Sequence, residues 1–247
     1  MISKTLEQFV KGMSLEGLVI PSSQEDSDQG GNSNLVIQST QDLWTIGNVH
    51  YRDELYTADL SKSLLDSGSG KTQDDWALYS EQARKSNGFY TGDMPLQHSI
   101  FTALYSQRTN SQSEEIRKFI QENMRRLGMA SLTRIKYQPS GKDKIIHNCK
   151  TSDEYSLDEN ISGPDREIEQ SDSLALKALL GTDDIQEIKN VYQWLNNTPT
   201  WLWRIEKPSK IEERIAWFDA GSVRVGLYCD WNPVGLFHSF GVRARKI

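Results

Sequence analysis

Apolar residues recur with a helical period through the middle of the chain and with a two-residue period on either side of it. In DMPLQHSIFTALYSQR, Leu96, Ile100 and Leu104 fall on one face, which predicts a helix starting near Asp93. The pattern is stronger in SQSEEIRKFIQENMRRLG, where Ile116, Phe119, Ile120 and Met124 form a stripe. Ser111 and Glu114 there have capping-box spacing, and Gly128 supplies a stop. SLALKALLG and TDDIQEIKNVYQWLNN predict two further helices, the second capped at Thr182/Asp183 and lined by Ile185, Ile188, Tyr192 and Leu195. SLTRIKYQPSGKDKIIHN reads as two strands around a PSGKD turn, and TWLWRI and ERIAWFDA read as strands rich in aromatic and branched residues. Alternation appears in places along LVIQSTQDLWTIGNVHYRDELYTADL. The polar runs PSSQEDSDQGGNSN (21–34), DSGSGKTQDD and the acidic stretch 151–172 predict loops. Helices flanked by hairpins, without a βαβ rhythm, indicate an α+β fold. Regular patterning begins near residue 91, so residues 1–90 are expected to form an irregular accessory region and 91–247 a domain.

Composition narrows the class. A net charge of −6 disfavours nucleic-acid binding, which needs a positive footprint for phosphates. No apolar run reaches the length of a membrane span, so membrane insertion is not expected. MISKTLEQFVKGM lacks the small-residue cleavage site of a signal peptide. Localisation stays open, with a virion or cell surface among the options. Cys149 and Cys229 are the only cysteines and read as two small semi-buried thiols.

Several motifs look chemical without completing a site. GSGKT (68–72) lacks the glycine a phosphate-binding loop needs five positions before Gly70, where Leu65 stands, and it follows no apolar strand. His50, His98, His147 and His238 have no ligand spacing; His98 reads as a surface residue of a capped helix and His147 as a strand-end hydrogen bonder. No catalytic residue, metal site or cofactor is expected. Trp194, Trp201, Trp203, Trp217 and Trp231 cluster late in the chain. An aromatic platform for sugars is conceivable, but tryptophans near strands usually belong to a core.

The C-terminal FDAGSVRVGLYCDWNPVGLFHSFGVRARKI is framed by strand-like ends, while VRVGLYCDWNPVGLFH between them follows neither period. The frame ERIAWFDAGS…SFGVRARKI resembles the closing segment of C-type lectin folds of the formylglycine-generating-enzyme type. Within that superfamily it most resembles the variable proteins of diversity-generating retroelements, including those of archaea and their viruses. The resemblance covers about the last 40 residues, is plausible back to the 131–148 hairpin, and is absent from the first 90.

In that family a reverse transcriptase copies a template repeat with errors at adenines, and the copy replaces the 3′ end of the gene. Asn codons can then become many residue types, but not Lys, Glu, Gln, Met or Trp. From Arg214 through Arg245 there is no Lys, Glu, Gln or Met. By composition about six or seven would be expected there. Strands and turns deplete some of these types on their own.

The resemblance implies a binding protein, not an enzyme, with a variable region of about 214–247 displayed to an unknown protein or surface ligand. Diversified positions must face solvent, because core changes cost about 1–5 kcal/mol. The candidates are Asp219, Val223, Arg224, Gly226, Tyr228, Asp230, Asn232, Val234, Gly235, Leu236, Phe237 and His238. Trp217, Gly221, Trp231, Gly241 and Arg243 are expected as scaffold, with Gly221 and Gly241 permitting close turns. Formylglycine-generating enzymes use two C-terminal cysteines to hold copper; here Cys229 stands alone in that region, which disfavours that chemistry. An enzyme of the same superfamily with a non-cysteine site, and a calcium-dependent carbohydrate-binding lectin, are the alternatives. Against the lectin, only WNP is present, without the glutamate of an EPN motif.

Overall fold

A computed structural model describes residues 37–247, which belong to one compact unit, Leu35–Ile247. The loop read at 21–34 lies outside the described residues. In chain order come β1 (Ile37–Ser39), β2 (Leu43–Tyr51), β3 (Glu54–Leu64), α1 (Gln73–Lys85), α2 (Met94–Ser106) and α3 (Ser111–Leu127). Next are β4 (Met129–Tyr137), β5 (Asp143–His147), β6 (Tyr155–Glu159), β7 (Arg166–Glu167), α4 (Ser173–Leu180) and α5 (Ile185–Asn196). The chain closes with β8 (Thr200–Trp203), β9 (Glu212–Ala220), β10 (Val225–Trp231) and β11 (Phe240–Lys246). The fold is α+β, as the order of patterns indicates, with five α-helices and two sheets among the described residues.

One sheet runs β1-β2-β3-β11, the other β6-β5-β4-β9-β10-β8-β7. Every pairing is antiparallel except β10 with β8. The antiparallel pairing of β11 with β3 corrects the expected boundary near residue 90, because residues 37–64 are built into the sheet that the C-terminus closes. The alternation read in places along this stretch is broken in β3 by buried polar residues. Asp59 and Ser61 are buried in β3, and Asp59 accepts hydrogen bonds from Thr45, Arg243 and Arg245. Helix α1 begins inside the stretch read as loop (66–75) and continues through residues given no element; Trp76 is its one fully buried large apolar side chain.

Helix ends sit within one or two residues of the predicted caps. The side chain of Asn110, not Ser111, caps α3 by accepting the Gln112 N–H at 2.9 Å, and Asp184 caps α5 by accepting the Glu187 N–H at 2.9 Å. The expected hairpin is β4–β5. Helix α2 packs on β2, α4 and α5, and α3 packs on β9 and β1, enclosing the main core. A smaller cluster (Leu65, Trp76, Ala77, Ala130, Leu132, Cys149, Ile215 and Phe237) forms where α1 meets β4.

Candidate binding face

Along Thr200–Trp203, Ile215–Ala220 and Val225–Asp230, buried and half-exposed side chains alternate except at Ile215 and Gly226, which are buried as well. Leu202, Phe218, Leu227 and Cys229 point into the core, while Trp201, Trp203, Trp217, Asp219, Tyr228 and Asp230 point to the opposite face. The first part of the segment that looked aperiodic, Val225–Trp231, is therefore a strand with an unusual outer face, and the remainder is loop. Register places Tyr228 between Trp203 and Trp217, and Gly226 between Trp201 and Asp219.

The outer rings form a continuous ladder. Ring centroids lie 5.9 Å apart for Trp201–Trp203, 5.5 Å for Trp203–Tyr228 at an interplanar angle of 6°, and 4.7 Å for Tyr228–Trp217. Trp217 continues the row edge-on to Trp231 at 6.0 Å and tilted to Phe237 at 5.5 Å. The Arg224 guanidinium lies 4.5 Å from the Trp203 centroid and 5.6 Å from that of Trp201. The indole Nε1 atoms of Trp203 and Trp217 are buried and have no hydrogen-bond partner. The late tryptophans thus divide: Trp194 packs against the main core, Trp201, Trp203 and Trp231 make this surface, and Trp217 lies in it while packing against the smaller cluster.

The loop after β10 is held by its main chain. Asn232 makes the turn, its C=O accepting the Gly235 N–H at 3.0 Å and its Oδ1 the Val234 N–H at 3.1 Å. Phe237 exchanges both main-chain bonds with Lys71 at 2.9 Å, and its C=O also accepts Trp76 Nε1–H at 2.8 Å. The Ala130 N–H donates to the His238 C=O at 2.8 Å, and the Leu65 N–H donates to the Ser239 C=O at 3.0 Å. The GSGKT segment is accordingly the backbone clamp of this loop, a role its sequence does not announce.

Most of the expected surface positions are where they were placed. Val223, Val234 and Leu236 are 68–73% exposed, Asn232 is exposed, and Asp219, Arg224, Tyr228, Asp230, Gly235 and His238 are half-buried. Two are corrected. Phe237 is 4% exposed and belongs to the smaller cluster, because its main-chain pairing with Lys71 turns its ring inward. Gly226 is buried beneath Tyr228, and a Cβ there would lie 2.1 Å from Tyr228 Cε2.

The scaffold list is corrected as well. Trp231 is 52% exposed at the end of the ladder, whereas Trp217, half-buried, packs against the smaller cluster as a scaffold residue would. Gly241 makes no turn; it lies inside β11, where a Cβ would meet Leu65 Cδ2 at 2.8 Å. Gly221 is exposed in the β9–β10 turn, its N–H donating to the Arg224 C=O at 2.8 Å. Arg243 does anchor, through Asp59. Trp201 and Trp203 were missing from the expected surface, although the W-x-W spacing in TWLW, with Leu202 between, was the available signal.

Electrostatics follow burial. Partial desolvation raises the carboxyl pKa of Asp219, against the Ala220 N–H it accepts and the nearby Arg224. Desolvation also raises that of Asp230, and Asp165 adds to it. Elsewhere, Cys149 and Cys229 are buried in different clusters; burial pushes the Cys149 thiol up to about 12 and the Cys229 thiol higher still, so both are protonated near neutrality. His147 sits at a strand end, Nδ1 within 2.8 Å of Thr133 Oγ1 and Nε2 within 2.9 Å of the Ala178 C=O. His98, expected at the surface, is buried and stacked on Tyr192. Among the described residues, no three His, Cys, Asp or Glu side chains are arranged to hold a metal ion, and no helix is long and apolar enough to cross a membrane. No family model, curated protein or solved structure matches this chain.

Proposed function

We propose that the chain is a binding protein that displays an exchangeable surface on a C-type lectin scaffold of the formylglycine-generating-enzyme type, diversified by adenine-directed retrohoming. The observation that carries this reading is the way the 232–239 loop is fastened. Main-chain bonds to Leu65, Lys71, Gln73 and Ala130 fix its course, and among its side chains only Asn232 and Ser239 add hydrogen bonds, both to near neighbours. A loop held in this manner keeps its path while Val234 and Leu236 change. Large apolar side chains standing 68–73% exposed suit a binding patch better than an inert surface. The antiparallel closure of β11 on β3 gives that surface a stiff frame at both ends.

The ligand is a protein or other surface molecule met by Arg224, Tyr228 and the exposed apolar positions, residue types that anchor interfaces. The test is genomic. A near-copy of the gene's 3′ end, differing at adenines and lying beside a reverse transcriptase gene, is expected. Its mutable codons should fall at outward positions such as Val223, Tyr228, Asp230, Asn232, Val234 and Leu236, sparing Phe218, Leu227 and Val242. A locus without such a donor, or one whose mutable codons fall on the buried set, removes the reading.

A further inference from the structure

Resting on that binding reading, we propose that the aromatic face takes arginine side chains from a basic segment of a protein partner. The ladder already carries one guanidinium, that of Arg224, over Trp203 and Trp201. Indole and phenol rings attract such a cation through their negative faces, and a guanidinium stacks flat while keeping its N–H donors free at its rim.

Acceptors for those donors stand on the same face. Asp230 Oδ1 is buried and has no hydrogen-bond partner, and Asp219 accepts only the N–H of Ala220. Asp165 adds negative charge beside Asp230. The cations facing this group are Arg224 and Arg214, and Arg214 is engaged by Glu212. A carboxylate oxygen without water or partner, as Asp230 Oδ1 is, is costly to keep, and a planar cation delivered by a partner supplies the missing donor. A proline-rich chain would cover the rings yet bring no donor to Asp230 Oδ1. An acidic segment would be repelled by the carboxylates.

The test titrates four peptides into the full chain: alternating glycine–arginine, its lysine and glutamate counterparts, and oligoproline. Indole N–H resonances and tryptophan fluorescence report binding. The arginine peptide is expected to bind most tightly and to shift the Trp203 and Trp217 indole signals. Asp219→Asn combined with Asp230→Asn should weaken it by about tenfold or more, with Asp230→Asn alone used if the pair lowers the melting temperature. Equal affinity for oligoproline or the glutamate peptide, undiminished arginine affinity in the Asn variants, or no indole shift with any peptide would each overturn the inference. None of these outcomes touches the donor-repeat test, so the two ideas fail separately.

Discussion

At the scale of single residues, burial decides behaviour that residue type alone leaves open. His98 sits between Tyr192 and the core of α2 with its Nε2 unpartnered, and burial lowers its pKa from 6.5 to about 4. The unfolded chain therefore takes up a proton near pH 6.5 that the folded chain refuses until about pH 4. His98 should thus remove about 3 kcal/mol of stability as pH drops through that window, its own share levelling off below it. His147, whose pKa is lowered chiefly by burial, acts in the same direction. Urea denaturation of the protein and of His98→Leu between pH 4 and 7 checks this: the variant should show a visibly flatter acid limb. Equal slopes would mean that His98 is protonated in the folded state. Gly226 makes a parallel point without charge. Its missing side chain is the space in which the Tyr228 ring lies, so the two positions behave as one unit of surface.

At the scale of elements, the latch between β3 and β11 does most to define the unit. The Asp59 side chain, 2% exposed, accepts from Arg243 Nη2 at 2.7 Å, from Arg245 Nη1 at 2.5 Å and from Thr45 Oγ1 at 2.8 Å. Asp59→Ala leaves two guanidiniums beside an apolar hole. It should cost about 3 kcal/mol, at the lower end for a buried pair because both arginines reach solvent. Hydrogen exchange should accelerate first at the amides of Val242 and Ala244. Uniform protection in the variant would place the holding force elsewhere. This latch also explains what the sequence hid. Helices α2 to α5 and the β4–β5 hairpin were legible because their apolar periods are long and regular. β3 was not, because the Asp and Ser it buries are polar, and the strand they stabilise is closed by residues nearly 190 positions away. Likewise β10 looked aperiodic because its outer face carries Gly, Tyr and Asp. Only its pairing with β8 and β9 reveals Val225, Leu227 and Cys229 as the inner row. Phe237 was placed on the surface for the same reason: the main-chain bridge to Lys71 that turns it inward is a long-range contact.

At the scale of the whole unit, two kinds of support meet at the candidate face, and they predict opposite responses to mutation. The β8–β9–β10 surface rests on a packed sheet, and the 232–239 loop rests on main-chain bonds to the segment before α1. Neither support uses the outward side chains of Val223, Val234 or Leu236. Replacing all three with serine should change stability by about 1 kcal/mol in total, or about 3 °C in melting temperature for a domain of this size. Phe237 stands in the same loop, one residue from Leu236, but it fills the cluster beneath with Trp76 and Leu65. Phe237→Ala should cost about 3–5 kcal/mol and lower the melting temperature by about 10 °C. Calorimetry on the triple variant and on Phe237→Ala makes the comparison directly. A triple variant that melts as early as Phe237→Ala would show that the loop takes its course from its side chains, and a surface of that kind could not be exchanged freely. A wide gap between the two would show that neighbouring positions in one loop divide cleanly into replaceable and fixed.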